Sequence, residues 1–405
     1  MTNTPDRDTV RDASQSTDAA HATGDVRREM FAGPHGSESR TQGVDTAQVT
    51  AIAGQPERNG EELPPLSQRV TAPAEVVIPA VGAGLEWRPL RRTDLPALLE
   101  LQRAANAVDN PRFVPRLDGL EEDFDSAGFD PDRDSVIAFD AQGRAVAYGE
   151  AYQDEEAETV VTVHVNGVVH PERRREGIGS AILAWQEARG LQQLAASELR
   201  LPGWLSAGAE EDAAAPRALL EGAGYARVRW WMTMDRDLAA PIAEVPLGPE
   251  LRFEPYGPAW SEPSRLVINA AFRDHWGSQP TSREDWQASE RLAAFRPDLG
   301  TVVVATLPDG SEEVAGVLTV EVNEEEWEPN GFTFGYIEVL GVARTWRGRG
   351  IAQALLARTF AALRAEGFER AVLDVDSESP TGADGLYARA GFHELARSVS
   401  LVKVF

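Results

Sequence analysis

The chain has 405 residues, enough for two or three domains. Its formal net charge of −26 argues against wrapping nucleic acid, because phosphate contacts need clustered Lys and Arg. With no cysteine there can be no disulfide, cysteine nucleophile or thiolate metal site.

The six histidines (His21, His35, His164, His170, His275, His393) lack ligand-like spacing, so no metal is expected. No apolar run approaches the ~20 residues of a membrane span. The N-terminus has no apolar signal-peptide core, and its acidic residues speak against a transit peptide. A soluble, cytoplasmic protein is expected.

Residues 1–80 have little with which to build a core. Up to Glu62 the larger aliphatic and aromatic residues are Met1, Val10, Val26, Met30, Phe31, Val44, Val49 and Ile52. Such a segment cannot offset chain entropy by burial and is expected to be a disordered tail.

Order begins near Leu85. Glu86 to Leu90 reads as a strand, and Thr93-Asp94 cap a helix carrying Leu95, Leu98, Leu99 and Leu101. Ser135–Phe139 and Ala145–Tyr152 form a hairpin around Asp140 to Gly143. A strand over Thr159–Val169 runs into Pro171 to Gly179, and the next helix buries Ile178, Ile182, Leu183 and Trp185. A strand around Leu199–Leu201, a helix ending at Leu219 to Tyr225 and a strand near Arg229–Met234 follow.

Pro241–Pro249 reads as a linker, after which the same order returns. Pro89 recurs as Pro255 (255 − 89 = 166), Arg174 as Arg347 (347 − 174 = 173) and Gly224 as Gly391 (391 − 224 = 167). Three landmarks at nearly one period indicate an internal duplication, each copy a mixed α/β unit with hairpins before a strand–turn–helix crossover. The copies are placed at 84–240 and 248–405.

In the second copy the apolar run Tyr336–Val342 turns through Thr345 to Gly350 into a helix with Ile351, Leu355, Leu356, Phe360 and Leu363 on one face. A strand turning sharply into a helix leaves the first helical N–H groups unpartnered, and these with the helix dipole suit a phosphate. Neither copy has the G-x-G-x-x-G dinucleotide fingerprint or the P-loop pattern. Arg174-Arg175-Glu176-Gly177-Ile178-Gly179 and Arg347-Gly348-Arg349-Gly350-Ile351-Ala352 both match the Gln/Arg-x-x-Gly-x-Gly/Ala cofactor turn of the GNAT acetyltransferase superfamily. Leu386-Tyr387-Ala388-Arg389-Ala390-Gly391-Phe392 adds that family's Leu-Tyr-x-x-x-Gly-Phe pattern.

The chain therefore resembles a tandem GNAT acetyltransferase over residues 84–405, and the doubled arrangement is similar to mycothiol synthase and related actinobacterial double-domain enzymes. The resemblance implies an α/β (α+β) fold of two GNAT domains, each a mixed, mostly antiparallel sheet flanked by helices. It implies acetyl-CoA as co-substrate and no metal, a small-molecule primary amine as acceptor, no nucleic-acid or membrane partner, and a monomer whose domains form an intramolecular pseudo-dimer. It places the pantetheine arm against Leu340, Gly341 and Val342 and the pyrophosphate on the amides of Arg347, Gly348, Arg349, Gly350, Ile351, Ala352 and Gln353. The matching N-terminal residues are Gly167, Val168, Val169, Arg174, Arg175, Glu176, Gly177, Ile178, Gly179 and Ser180. Ser379 stands where relatives have Asn, which weakens one cofactor contact.

Acetyl transfer needs a neutral amine, a polarised carbonyl and a proton for the leaving thiolate. The resemblance puts Tyr387 at the general-acid position. Alternation places Glu338 and Tyr336 on one strand face with Leu340, with Glu338 as the expected base; a solvated strand residue fits the same pattern. In the first copy Val165 stands for Glu338, Val163 for Tyr336 and Leu220 for Tyr387, so the C-terminal copy is expected to catalyse alone. His275, after the first helix of that copy, and the acidic run Glu324, Glu325, Glu326 and Glu328 are further candidates near the acceptor. Acetylation of a protein or peptide N-terminus, and a non-catalytic acyl-CoA sensor, are the competing readings.

Overall fold

The alternating apolar segments assemble into one twelve-stranded sheet. It is seen in a computed structural model that describes residues 63–126, 128–154, 157–273, 275–377 and 383–405. The N-terminal half supplies β1 (Glu86–Arg88), β2 (Ser135–Phe139), β3 (Ala145–Gln153), β4 (Val161–Val169), β5 (Gly203–Glu210) and β6 (Ala226–Asp237). The C-terminal half supplies β7 (Leu251–Pro255), β8 (Thr301–Thr306), β9 (Glu312–Glu321), β10 (Phe334–Val342), β11 (Arg370–Asp376) and β12 (His393–Val404). The helices that position the site are α1 (Leu66–Arg69), α2 (Leu95–Asp109), α3 (Ile178–Ala196), α4 (Ala214–Gly222), α5 (Pro258–Phe272), α6 (Ile351–Ala365) and α7 (Ala383–Arg389).

The strand order is β1-β2-β3-β4-β5-β12-β6-β11-β10-β9-β8-β7. From either edge it presents five strands of one half and then the sixth strand of the other. The β4–β5 and β10–β11 pairs are parallel and the rest antiparallel. Where two separate sheets were expected, the last strands are exchanged and one sheet runs through both halves.

Helices cover both faces, as strand alternation dictates. Along β8, Val302 and Val304 pack with α5, while Val303 and Ala305 pack with α6. The apolar stripe of α6, Ile351, Leu355, Leu356, Phe360 and Leu363, is buried at the helical period. Its counterpart α3 buries Ile178, Ile182, Leu183 and Leu194. None of the described helices is long and apolar enough to cross a membrane.

The segment after the first helix of each half reaches across to the other half. Trp276 stacks on Trp204 at 5.0 Å, and Gln279 donates to the Val160 carbonyl at 3.3 Å. In return, Asn323 donates to the Val114 carbonyl at 2.9 Å and Asn330 to that of Arg112 at 3.0 Å.

Two expectations need correction. The strand expected around Leu199–Leu201 begins at Gly203, because Pro202 lacks the N–H for a ladder and ends the approach segment. Residues 63–80, expected as tail, include α1, whose Leu66 is fully buried beside Val161, Leu194 and Leu205. The Leu66 amide donates to the Leu199 carbonyl at 3.0 Å, and Arg69 donates to the Phe405 carbonyl at 2.5 Å. One four-residue turn is too short to show a period in sequence, which is why it reads as tail. The rest of that expected tail, residues 1–62, lies outside the described residues.

Replacing Leu66 by Ala removes a fully buried side chain and should destabilise the protein by about 2–5 kcal/mol. The midpoint of chemical denaturation checks this; an unchanged midpoint would return α1 to the tail.

Candidate active site

The β10 strand carries the candidate residues Tyr336, Glu338 and Leu340, and it has two irregularities. Opposite β9, Ile337 faces Val320 whereas Val339 faces Thr319, so Glu338 is the extra residue of a bulge. The bulge breaks the alternation expected from sequence. The Tyr336 hydroxyl donates to Asp374 at 2.7 Å, while Leu340 packs into the core beneath α6. Tyr336 and Leu340 therefore do not share a face, and half-buried Glu338 sits at the change of side.

The second irregularity is a splay. Parallel pairing with β11 covers Phe334 to Tyr336 and then stops. The β11-facing edge of residues 337–342 lies outside the ladder, so its backbone groups are available to an extended ligand.

At the end of this wedge the chain makes a 3₁₀ turn over Arg344–Trp346 and enters α6. Gly348 (φ 76°) and Gly350 (φ 78°) take left-handed conformations, which glycine adopts at little cost. Gly350 is the N-cap and offers no capping side chain, so the first-turn amides face the turn. The Arg347 guanidinium donates to the carbonyls of Val342 (3.3 Å) and Ala271 (2.9 Å), tying the turn to its strand and to α5. Arg349 lies over the Trp346 ring at 4.5 Å and donates to Glu250 at 2.9 Å.

Tyr387 on α7 points into the core. Its ring meets Phe392 edge-on at 5.7 Å within the core cluster beneath α6. Burial pushes its pKa up to about 12, so the group holds its proton at neutral pH.

The N-terminal half keeps the turn without the rest. Gly177 (φ 80°) caps α3, and Arg175 (φ 69°) takes the left-handed place of Gly348. Arg174 donates to the Val169 carbonyl at 3.2 Å and bidentately to Asp109 at 2.8 and 2.6 Å. The β4–β5 pairing ends at His164, so a splay exists here too. The β3–β4 register is regular from Ala147 to Gln153, without a bulge. Val163, Val165 and Leu220 are buried core residues, and Glu176 stands where the C-terminal turn has Arg349.

The acetyltransferase (GNAT) family model matches residues 267–392. A mycothiol acetyltransferase of Salinispora tropica is 34% identical over 226 residues, 55% of this chain and 67% of that relative. The Salinispora arenicola protein of the same name is 33% identical, again over 67% of its length. The chain belongs to the GNAT acetyltransferase family. A GCN5-related N-acetyltransferase from Sphaerobacter thermophilus shares the fold, with a TM-score of 0.58 and 24% identity over 80% of this chain and 97% of that one. A tandem GNAT protein from the clavulanic acid biosynthesis pathway gives 0.55 and 20%, over 79% and 98%. The protein is thus a tandem N-acetyltransferase of the GNAT type.

Other candidates in this GNAT protein fall out differently. Glu325 pairs with Arg103 of the N-terminal half, and buried Glu326 accepts from Asn323 at 3.1 Å, so this part of the acidic run belongs to the seam between halves. The His275 ring packs on Phe272 at 4.6 Å. His164 bonds Asp154 at 3.0 Å and stacks on Tyr152 at 5.0 Å. Ser379 lies outside the described residues. Sequence reasoning passed over Asp374, although an acid inside the apolar strand Ala371–Val375 was a visible signal.

The Tyr387 ionisation gives a direct check. With its pKa near 12, Tyr387→Phe should leave the ultraviolet phenolate titration unchanged below pH ~11. Loss of a phenolate signal near pH ~10 in the variant would show that the ring is solvated.

Proposed function

We propose that the protein moves an acetyl group from acetyl-CoA to the primary amine of a small molecule, by direct transfer in its C-terminal half. The observation that carries this reading is the coincidence, in that half, of the β10 bulge, the splay beside it and the buried Tyr387. The N-terminal half has a splay but neither the bulge nor the tyrosine. In this reading residues 84–240 are a supporting domain, 248–405 the catalytic one, and the chain is a monomeric pseudo-dimer.

The chemistry follows from the groups in place. Acetyl-CoA lies as a substrate in the wedge, its pantetheine along Leu340, Gly341 and Val342 and its pyrophosphate on the amides of Arg347 to Gln353. Those amides supply directed donors and the positive end of α6. The amine arrives as an ammonium and gives a proton to Glu338, directly or through one water. Its nitrogen then bonds the carbonyl carbon as the carbon–sulfur bond breaks; the thiolate takes the proton of Tyr387, and the second proton lost by the nitrogen as the amide forms returns through water to the Tyr387 phenolate. Burial that raises the Tyr387 pKa to about 12 makes it a weaker acid than a solvated tyrosine, so its donation to the thiolate is coupled to the nitrogen's release of its second proton. Relatives named mycothiol acetyltransferase make the cysteinyl glucosaminyl-inositol precursor of mycothiol the first acceptor to try.

CoA release from acetyl-CoA should be measured with that precursor, amino sugars, polyamines, aminoglycosides, amino acids and peptides. Release with a small amine is expected; release with peptides alone would favour acetylation of protein termini, and none with any would favour a sensor. Tyr387→Phe should lower turnover by about 10²–10⁴-fold with little change in CoA affinity. Leu220→Tyr should add no activity, since the N-terminal half lacks the bulge and its acid. Gly350→Val should weaken CoA binding, because a β-branched residue resists a φ of 78°. Undiminished CoA affinity in a folded Gly350→Val protein would remove the turn from the cofactor site.

A further inference from the structure

Glu210, the last residue of β5, is 3% exposed, and neither of its carboxyl oxygens has a hydrogen-bond partner among the described residues. Burial pushes its pKa up to about 10, and the charges of Asp374, Asp109 and Asp212 push the same way. The cations in this region are engaged elsewhere: Arg174 holds Asp109 bidentately, and Arg229 pairs with Asp376 at 3.1 Å. A carboxyl with a purely structural role would have a partner, and an apolar residue of its size would pack at lower cost.

Its position says what could serve as the partner. Glu210 lies opposite Ser398 on β12, Ser398 opposite Trp231 on β6, and Trp231 opposite Asp376 on β11. These side chains share one face of the sheet, away from α3, since Leu205, Ala207 and Ala209 take the other. Asp374 is on the same face, bonded to Tyr336 two residues before the bulge. Trp276 closes one end of the face against Trp204 and Trp231. A row therefore runs from β5 of the N-terminal half across β12 and β6 to β11 of the C-terminal half, where Asp374 meets Tyr336 of β10. In the other copy the equivalent residue by register is Asp376, opposite Trp231 as Glu210 is opposite Ser398, and Asp376 is ion-paired to Arg229 at 3.1 Å. Both copies carry an acid at this position, and the one in the N-terminal half lacks the cation that its counterpart holds.

We propose that Glu210 is an acceptor-binding residue supplied by the N-terminal half. A small, cationic, hydrogen-bond-rich acceptor lying along the row toward Asp374 and Glu338 brings the positive charge that lets the otherwise protonated Glu210 carboxyl ionise and accept hydrogen bonds from its ammonium or hydroxyl groups. This rests on the proposed acetyl transfer to a small amine and names the feature that selects the amine.

The test compares wild type with Glu210→Gln, which keeps the shape and removes the charge, and Glu210→Met, which removes the polarity. Binding is read apart from turnover, from the rise in melting temperature of the CoA-saturated protein with glucosamine, spermidine or the mycothiol precursor. At least one probe should stabilise wild type, with its affinity about 10–100-fold lower in Glu210→Gln, the range for a lost charged hydrogen bond. The KM of acetyl-CoA should stay within twofold in both variants, and the unliganded melting temperature should rise in Glu210→Met. Equal stabilisation of wild type and Glu210→Gln, or of neither by any probe, overturns the inference. Acetyl release measured in parallel decides the function reading separately, so the two can fail independently.

Discussion

Everything in this molecule depends on the pairing of β6 with β12. Residues 204–210 of β5 bond to β12, and residues 370–376 of β11 bond to β6. Each half thus offers its fifth strand to the other half's sixth, and neither closes its sheet alone. Removing either sixth strand would expose two rows of backbone donors and acceptors, a far larger penalty than the loss of any single side chain. The exchange also fixes where the halves face each other, placing the face with Glu210, Asp374 and Asp376 at their junction.

That constraint makes each copy necessary to the fold of the other, whatever part each takes in the reaction. The N-terminal half supplies β6, which lies beside β11 of the C-terminal half, and Val114, Arg112 and Arg103, which anchor the segment around Glu325 and Asn330. Its own turn has drifted while keeping its path. A left-handed non-glycine residue costs of order ~1–2 kcal/mol, and Arg175 is held there by the surrounding structure. Arg174 spends its charge on Asp109, whereas Arg347 spends none, bonding two carbonyls. The two turns share their path and differ in the bulge and in the tyrosine, which only the C-terminal half has.

Most of the fold was legible in the sequence because its signals are local. The hairpin of β2 and β3, the helix after each glycine turn and the duplication were placed from period and landmarks. What stayed hidden depends on register or distance. The bulge at Glu338 appears only once β10 is laid against β9, and without it Tyr336 and Leu340 seem to share a face. Strand exchange leaves no local trace, since β6 and β12 read as last strands whichever half they complete. Leu66 escaped because four residues cannot show a helical period, and Glu210 because its strand was placed four residues too early.

The charge distribution completes the logic of the site. A chain at −26 repels an anionic cofactor and draws in a cationic amine. At physiological salt that field is screened beyond about 8 Å, so affinity for a pyrophosphate has to come from groups in direct contact. The C-terminal turn meets this with glycine-shaped amides, the end of α6 and Arg349 close by. The N-terminal turn offers the same helix end with Glu176 in the place of Arg349, ion-paired to Arg173 at 2.9 Å. One charge reversal at contact range opposes the helix dipole, which is worth no more than about half a unit charge. The same overall sign that burdens cofactor capture would favour a cationic acceptor, as the proposed role of Glu210 requires.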